Sequence, residues 1–153
     1  MVVLVAALAI RTWVRLPDLK GPEEFWRAVE RQSPRCGMAG IGLSEFFLQT
    51  GRLEEAREVL ERTRELHPFQ QNLHLNLGRY YRARGEWEAA EKMFQREIAL
   101  FPGSLRAYRH LASLYREWGK PDEARLWEWR GEQIVNDLER QVRQPWNSVM
   151  PGP

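Results

Sequence analysis

Landmarks recur along this chain at a fixed offset of 34 residues, and few folds accommodate such an offset. Leu43, Leu77 and Leu111 form one column, Gly51, Gly85 and Gly119 a second, and Ala56, Ala90 and Ala124 a third. A ring stands four residues after each leucine, as Phe47, Tyr81 and Tyr115, and proline recurs as Pro34, Pro68 and Pro102. Self-similarity at a period of about 20–50 residues is the signature of stacked units, each too small to bury its apolar face alone.

Spacing within one unit gives its local structure. Leu77 and Tyr81 lie four apart, as do Ala90, Phe94 and Ile98, so each set lines one face of a helix. Gly85 separates the sets, and glycine accepts the left-handed conformation that often closes a helix. Pro102 cannot continue the second helix and biases Phe101 away from helical angles. Each unit is therefore a helical hairpin. Strict polar–apolar alternation is absent from the sequence, so the fold class is all-α. Gly78, with Ser44 and Ala112 in the other copies, costs about 1 kcal/mol inside a helix relative to alanine, which close packing of helices would offset.

With these columns in place the chain resembles the tetratricopeptide repeat family. That pattern has a large residue at position 4, Leu-Gly at 7 and 8, Tyr at 11, Gly at 15, Ala at 20, an aromatic at 24 and Pro at 32. Repeat 71–104 matches it with Leu77, Gly78, Tyr81, Gly85, Ala90, Phe94 and Pro102. Repeat 37–70 keeps Leu43, Phe47, Gly51, Ala56 and Pro68, and repeat 105–138 keeps Tyr108, Leu111, Ala112, Tyr115, Gly119 and Ala124. Position 24 departs as Leu60 and Glu128, and position 32 departs as Asn136, so the last helix is expected to run to about Gln144 as a cap. The resemblance implies a right-handed superhelical solenoid of antiparallel helix hairpins, with three clear units (37–144 with the extension), a degenerate unit before them and an irregular tail over 145–153.

The glycine-rich "GMAGIG" (37–42) is not read as a phosphate loop, because no strand precedes it and its glycines fall inside a helix. Gly40 and Gly42 are expected to leave room for a neighbour such as Trp26 or Trp13. The helix that holds them is expected to be the least stable of the six.

Residues 1–36 allow several readings. "MVVLVAALAI" is wholly apolar but shorter than the roughly 20 residues of a membrane span, and no basic region precedes it as in a secretory signal. It reads as the first helix of a degenerate repeat, as a short anchor giving membrane contact through residues 1–16, or as the end of a longer membrane segment. "PEEFWRAVERQSP" (22–34) reads as a second helix that starts with proline and acids. An apolar end, a linker bearing tryptophan, and then repeats also resemble the junction in polytopic glycosyltransferase-like membrane proteins. On that alternative the chain is a soluble C-terminal tail whose catalytic part lies outside this sequence. Location stays open between cytoplasmic, membrane-associated and periplasmic.

Chemistry is sparse. Twenty-three basic residues against 21 acidic ones give no reason to expect a nucleic-acid partner. One cysteine, Cys36, excludes an intrachain disulfide framework and a cysteine zinc site. His67, His74 and His110 are scattered, and no paired-histidine zinc motif, nucleophile elbow or P-loop occurs. Carboxylates alternate with arginines at helical spacing, as Glu58 with Arg62 and Glu88 with Lys92, which describes a solvated helix face. The expectation is a non-enzyme with no catalytic residue, metal or cofactor: a scaffold or adaptor that binds a partner protein, in one version as a subunit of a membrane-associated complex.

Charge position points to the binding surface. The first helices of the last two repeats carry six arginines and one acid, Glu117. In the resembled family first helices line the concave groove, and its inward slots hold Arg79, Arg82, Arg106, Arg109 and Arg116. Asn76, Arg106 and His110 occupy positions used by the chaperone-tail-binding subgroup, but Ile41 and Glu45 stand where that clamp needs lysine and asparagine, so chaperone tails are not the expected ligand. An acidic protein segment is. Trp127 and Trp129, two apart on a helix, cannot share a face, which makes them, with Trp146, a second candidate surface unless the tail covers them.

Overall fold

A computed structural model describes residues 21–143. The segments 1–20 and 144–153, with the expectations on residues 1–16, Trp13, the tail and Trp146, lie outside the described residues. Among the described residues seven helices follow one another: α1 (Pro22–Gln32), α2 (Gly37–Gln49), α3 (Leu53–Leu66), α4 (Leu73–Ala83), α5 (Trp87–Leu100), α6 (Leu105–Glu117) and α7 (Pro121–Arg143). No strand occurs among the described residues. The chain divides into two compact units with the boundary after Asn76, inside α4.

The glycine and ring columns act together at the turns. Gly51, Gly85 and Gly119 have φ of +74°, +75° and +78°, the left-handed region. After each, a backbone N–H reaches back to the carbonyl of the column ring: Arg52 to Phe47 at 2.8 Å, Glu86 to Tyr81 at 3.0 Å and Lys120 to Tyr115 at 2.8 Å. That is the six-to-one closure of a Schellman turn, which satisfies a carbonyl the helix end would orphan. The proline column makes a second repeated turn. The N–H groups of Cys36, Gln70 and Ser104 bond to the carbonyls of Ser33, His67 and Phe101 at 2.9, 3.0 and 2.9 Å. Each turn thus has proline second, where its fixed φ is pre-set. α1 ends in the same turn as α3 and α5.

In the first unit Leu43, Phe47, Ala56 and Val59 form a buried cluster, with Trp26, Phe46 and Leu48 packed on it. α1 begins with Pro22, Glu23 and Glu24, a proline and two acids suited to a helix start. Gly42 admits Trp26: a Cβ there would lie 2.1 Å from the indole. Gly40 does not face a tryptophan, because Thr63 fills that space, its Oγ1 only 2.0 Å from where a Cβ at position 40 would stand. Arg52 holds α1 to the α2–α3 turn. It pairs with Glu23 at 2.6 Å and with Glu55, and it lies 4.4 Å from the centre of the Phe47 ring. Arg52 keeps both carboxylates below their usual range, Arg27 adding to the effect on Glu23.

In the second unit Gly78 meets Phe94, a Cβ at 78 falling 2.5 Å from the ring. Phe94 and Ala90 are fully buried, as are Ala107, Leu111, Ala112 and Leu114 of α6. Tyr115 donates its hydroxyl to Glu91 at 2.7 Å, tying α6 to α5, and burial followed by that acid pushes its pKa up to about 12. α7 starts with Pro121, Asp122 and Glu123 and, with Asn136 where the earlier repeats have proline, continues to Arg143.

Candidate partner-binding surfaces

The arginine set resolves into a cluster and outliers. His110 on α6 stacks on Phe94 of α5, ring centres 5.7 Å apart and planes 11° from parallel. Burial lowers its pKa to about 4, and Arg82, Arg79, Arg106 and Arg109 add to the shift in that order. Four arginines of α4 and α6 thus lie near this histidine, which is neutral at neutral pH. Arg82 approaches Glu117 at 3.7 Å. Its Nη1 is buried with no hydrogen-bond partner among the described residues.

Two expected groove residues fall elsewhere. Asn76 is 0% exposed, its side-chain amide donating to Ser44 Oγ at 3.0 Å and to the Ile41 carbonyl at 3.3 Å. It joins α4 to α2 inside the first unit and has no surface to offer a partner. Arg116 does not join the cluster around His110. It bonds Glu128 on α7 through Nη2 at 2.6 Å and Nε at 3.1 Å, because position 24 of the last repeat is an acid and no longer a ring.

The tryptophans divide as their spacing requires. Trp127 packs on Tyr108, ring centres 6.1 Å apart, with Arg130 4.5 Å over its face. Trp129 points away and is 55% exposed. Sequence reasoning missed a neighbouring feature, an open cleft of about 540 Å³ between α6 and α7 lined by Tyr108, Arg109, Ala112, Trp127 and Gly131. The signal available for it was the small residue in both helices combined with Glu128 in a ring column.

No group of three or more metal-ligating side chains occurs among the described residues. No helix among them is long and apolar enough to cross a membrane.

The geometry defines a protein of helix-hairpin repeats closed by identical glycine and proline turns. Two family models of the tetratricopeptide repeat match, over residues 23–70 and 69–128, and the chain belongs to that family. No curated protein sequence matches it. Among solved structures it is similar to TTC0263, a thermophilic repeat protein of the same family from Thermus thermophilus. The identity is 29% over 87% of this chain and 74% of that one, with a TM-score of 0.68. MamA is similar at 20% identity over 80% and 74% of the chains, TM-score 0.67. PcrH, solved in complex with the chaperone binding region of PopB, is similar at 17% identity over 66% and 82%, TM-score 0.59. Proteins of this family are generally interaction modules without catalytic activity.

Proposed function

We propose that the chain is a protein-binding module whose second unit takes an acidic segment of a partner on the surface formed by Arg79, Arg82, Arg106 and Arg109. One observation carries the reading: Arg79, Arg82, Arg106 and Arg109, on α4 and α6, all lie near enough to His110 to disfavour its charged form. Confined like charges cost free energy, and an anionic partner relieves that cost while the guanidinium forks bond its carboxylates in pairs. PcrH, which shares the fold, holds a segment of another protein, and this supports the same use of the fold here. Membership of a membrane-associated complex, and the alternative of a tail on a membrane enzyme, rest on residues 1–36, and no observation on the described part of them favours either.

The test uses a fluorescent glutamate-rich peptide and the full chain. Binding is expected to weaken as salt is raised and to be lost in the combined Arg79→Glu, Arg82→Glu, Arg109→Glu variant with its thermal melt unchanged. Unchanged affinity in that folded variant rejects the arginine surface. A pull-down with mass spectrometry from the native source then identifies the natural partner.

A further inference from the structure

The repeat columns show how one hairpin receives the next. Gly42 and His110 share position 6 of their repeats, and each lies against the ring at position 24 of the repeat before it: Gly42 on Trp26 and His110 on Phe94. The corresponding residue of the last repeat is Glu128, and the cleft beside it is open. The cleft continues into an apolar depression of about 270 Å³ lined by Leu105, Val135, Leu138 and Val142. Those three α7 residues follow the i, i+3, i+7 spacing of one helix face, and Val142 is 86% exposed. Contiguous exposed apolar surface of this kind marks an interaction site.

We propose that this cleft is the docking site for a basic amphipathic α-helix of a partner protein, seated on α6 and α7 as α6 is seated on α5. Continuity with the repeat-to-repeat packing gives the occupant its shape. Ala112 and Gly131 line the cleft with small residues, and Gly131 lets α7 lie close to Tyr108, a Cβ there falling 3.3 Å from it. Charge gives the occupant its chemistry. Glu132 and Glu139 flank the apolar stripe of α7; on the α6 wall Arg116 is held by Glu128, and Arg109 lines the cleft outside the apolar depression that holds Glu139. A second copy presenting its own α7 brings acid against acid, whereas a helix with lysine or arginine beside its apolar stripe meets opposite charge. The reading rests on α7 and does not depend on the arginine surface, with which the cleft shares one residue, Arg109.

The probe is a dye-labelled peptide of residues 104–118, which reproduces α6 with its apolar Ala107, Leu111 and Leu114 and its arginines. Its anisotropy is followed as the full chain is added. Saturable binding is expected, weakened about tenfold by Leu138→Asp with Val142→Asp, which remove the apolar anchors, and less by Glu132→Lys with Glu139→Lys. All four positions are exposed, so the melts should not change. Peptide binding that both double variants leave unchanged overturns the proposal. Self-association of the parent that Leu138→Asp and Val142→Asp disperse makes the occupant a second copy and overturns it too. Peptide binding seen only after Trp146→Ala, Val149→Ala and Met150→Ala assigns the cleft to the chain's own tail, with the same consequence. Binding of the glutamate-rich peptide is unaffected by the α7 variants, so the two readings fail separately.

Discussion

α2 and α6 occupy the same slot in repeats two periods apart, yet they use it differently. Both end in a left-handed glycine, with the carbonyl of the position-11 ring accepting the closing hydrogen bond. At position 6, however, α2 has Gly42, which lets the Trp26 ring lie on the backbone, while α6 has His110, which supplies a ring of its own to stack on Phe94. α2 carries one charged residue, Glu45, whereas α6 carries Arg106, Arg109, Arg116 and Glu117. The turns and small residues therefore fix the hairpin, and position 6 and its exposed neighbours are free to serve packing in one repeat and charge display in another.

The largest effect is expected where backbone and ring are closest. Gly42→Leu drives a side chain into the indole of Trp26, which also packs edge-on against Phe25 at 4.9 Å. Overpacking of this kind costs typically 1–3 kcal/mol and occasionally more, and a loss of about 3 kcal/mol in urea unfolding is expected. A loss under about 1 kcal/mol would show that the ring is not held against the helix, and the contrast with His110 would collapse.

The corresponding residue of α6 predicts a pH effect that α2 cannot give. The folded pKa of His110 is about 4 against an unfolded value of 6.5, so between these pH values the unfolded chain binds the extra proton. Stability from this group is intact above pH 6.5 and is lost as pH falls toward 4, by up to about 3 kcal/mol. His110→Phe should keep the stack on Phe94 and remove that part of the acid sensitivity. The difference between parent and variant unfolding free energies, compared at pH 7 and pH 4.5, isolates the histidine from the carboxylates, whose protonation affects both chains. Equal pH dependence in the two would deny that the arginines and burial act on His110.

The hairpins were legible in the sequence because turns are local. Leu43 to Gly51 or Ala90 to Pro102 lie within a few helical turns, and the residue types that close a helix do so wherever they stand. Gly78 was legible for a related reason, since a glycine inside a helix demands a close neighbour, and Phe94 of the same hairpin supplies it. What periodicity does not carry is the neighbour's identity, within a repeat or across repeats. Thr63 opposite Gly40, Ser44 under Asn76 and Glu128 beside Arg116 are partners brought together by packing, with 12 to 32 residues between them in the side-chain bonds of the last two. For the proposed surface, helix face and charge nominate Arg79, Arg82, Arg106 and Arg109, and the glutamate-rich peptide tests that choice. Face and charge did not distinguish an amide satisfied inside the core from one aimed at solvent.

Asn76 therefore offers a smaller and sharper test. It stands at position 6 between Gly42 and His110, and its amide is spent on Ser44 and Ile41. Asn76→Ala removes two buried hydrogen bonds, for an expected loss of about 1.5 kcal/mol, while binding of the glutamate-rich peptide is unchanged at a temperature where the variant is folded. Loss of peptide binding in the folded variant would return Asn76 to the partner surface.

The smallest expected effect separates Arg116 from the other α6 arginines. Its counterpart at position 12 of the first repeat is Leu48, which packs on the first unit's core, so this slot too has passed from burial to charge. Arg116 and Glu128 are both largely solvent-exposed, and their pair should contribute roughly 0.2–1 kcal/mol, screened further by salt. Arg116→Gln is expected to lower the melting temperature by a degree or two at low ionic strength, with the difference disappearing in high salt. Since Arg116 is paired with Glu128, the same variant should bind the glutamate-rich peptide within about twofold of the parent, whereas Arg82→Gln should weaken it more. If the two substitutions weaken the peptide equally, the anion surface extends along α6 to Arg116, and the division between the charge cluster and the α6–α7 cleft has to be redrawn.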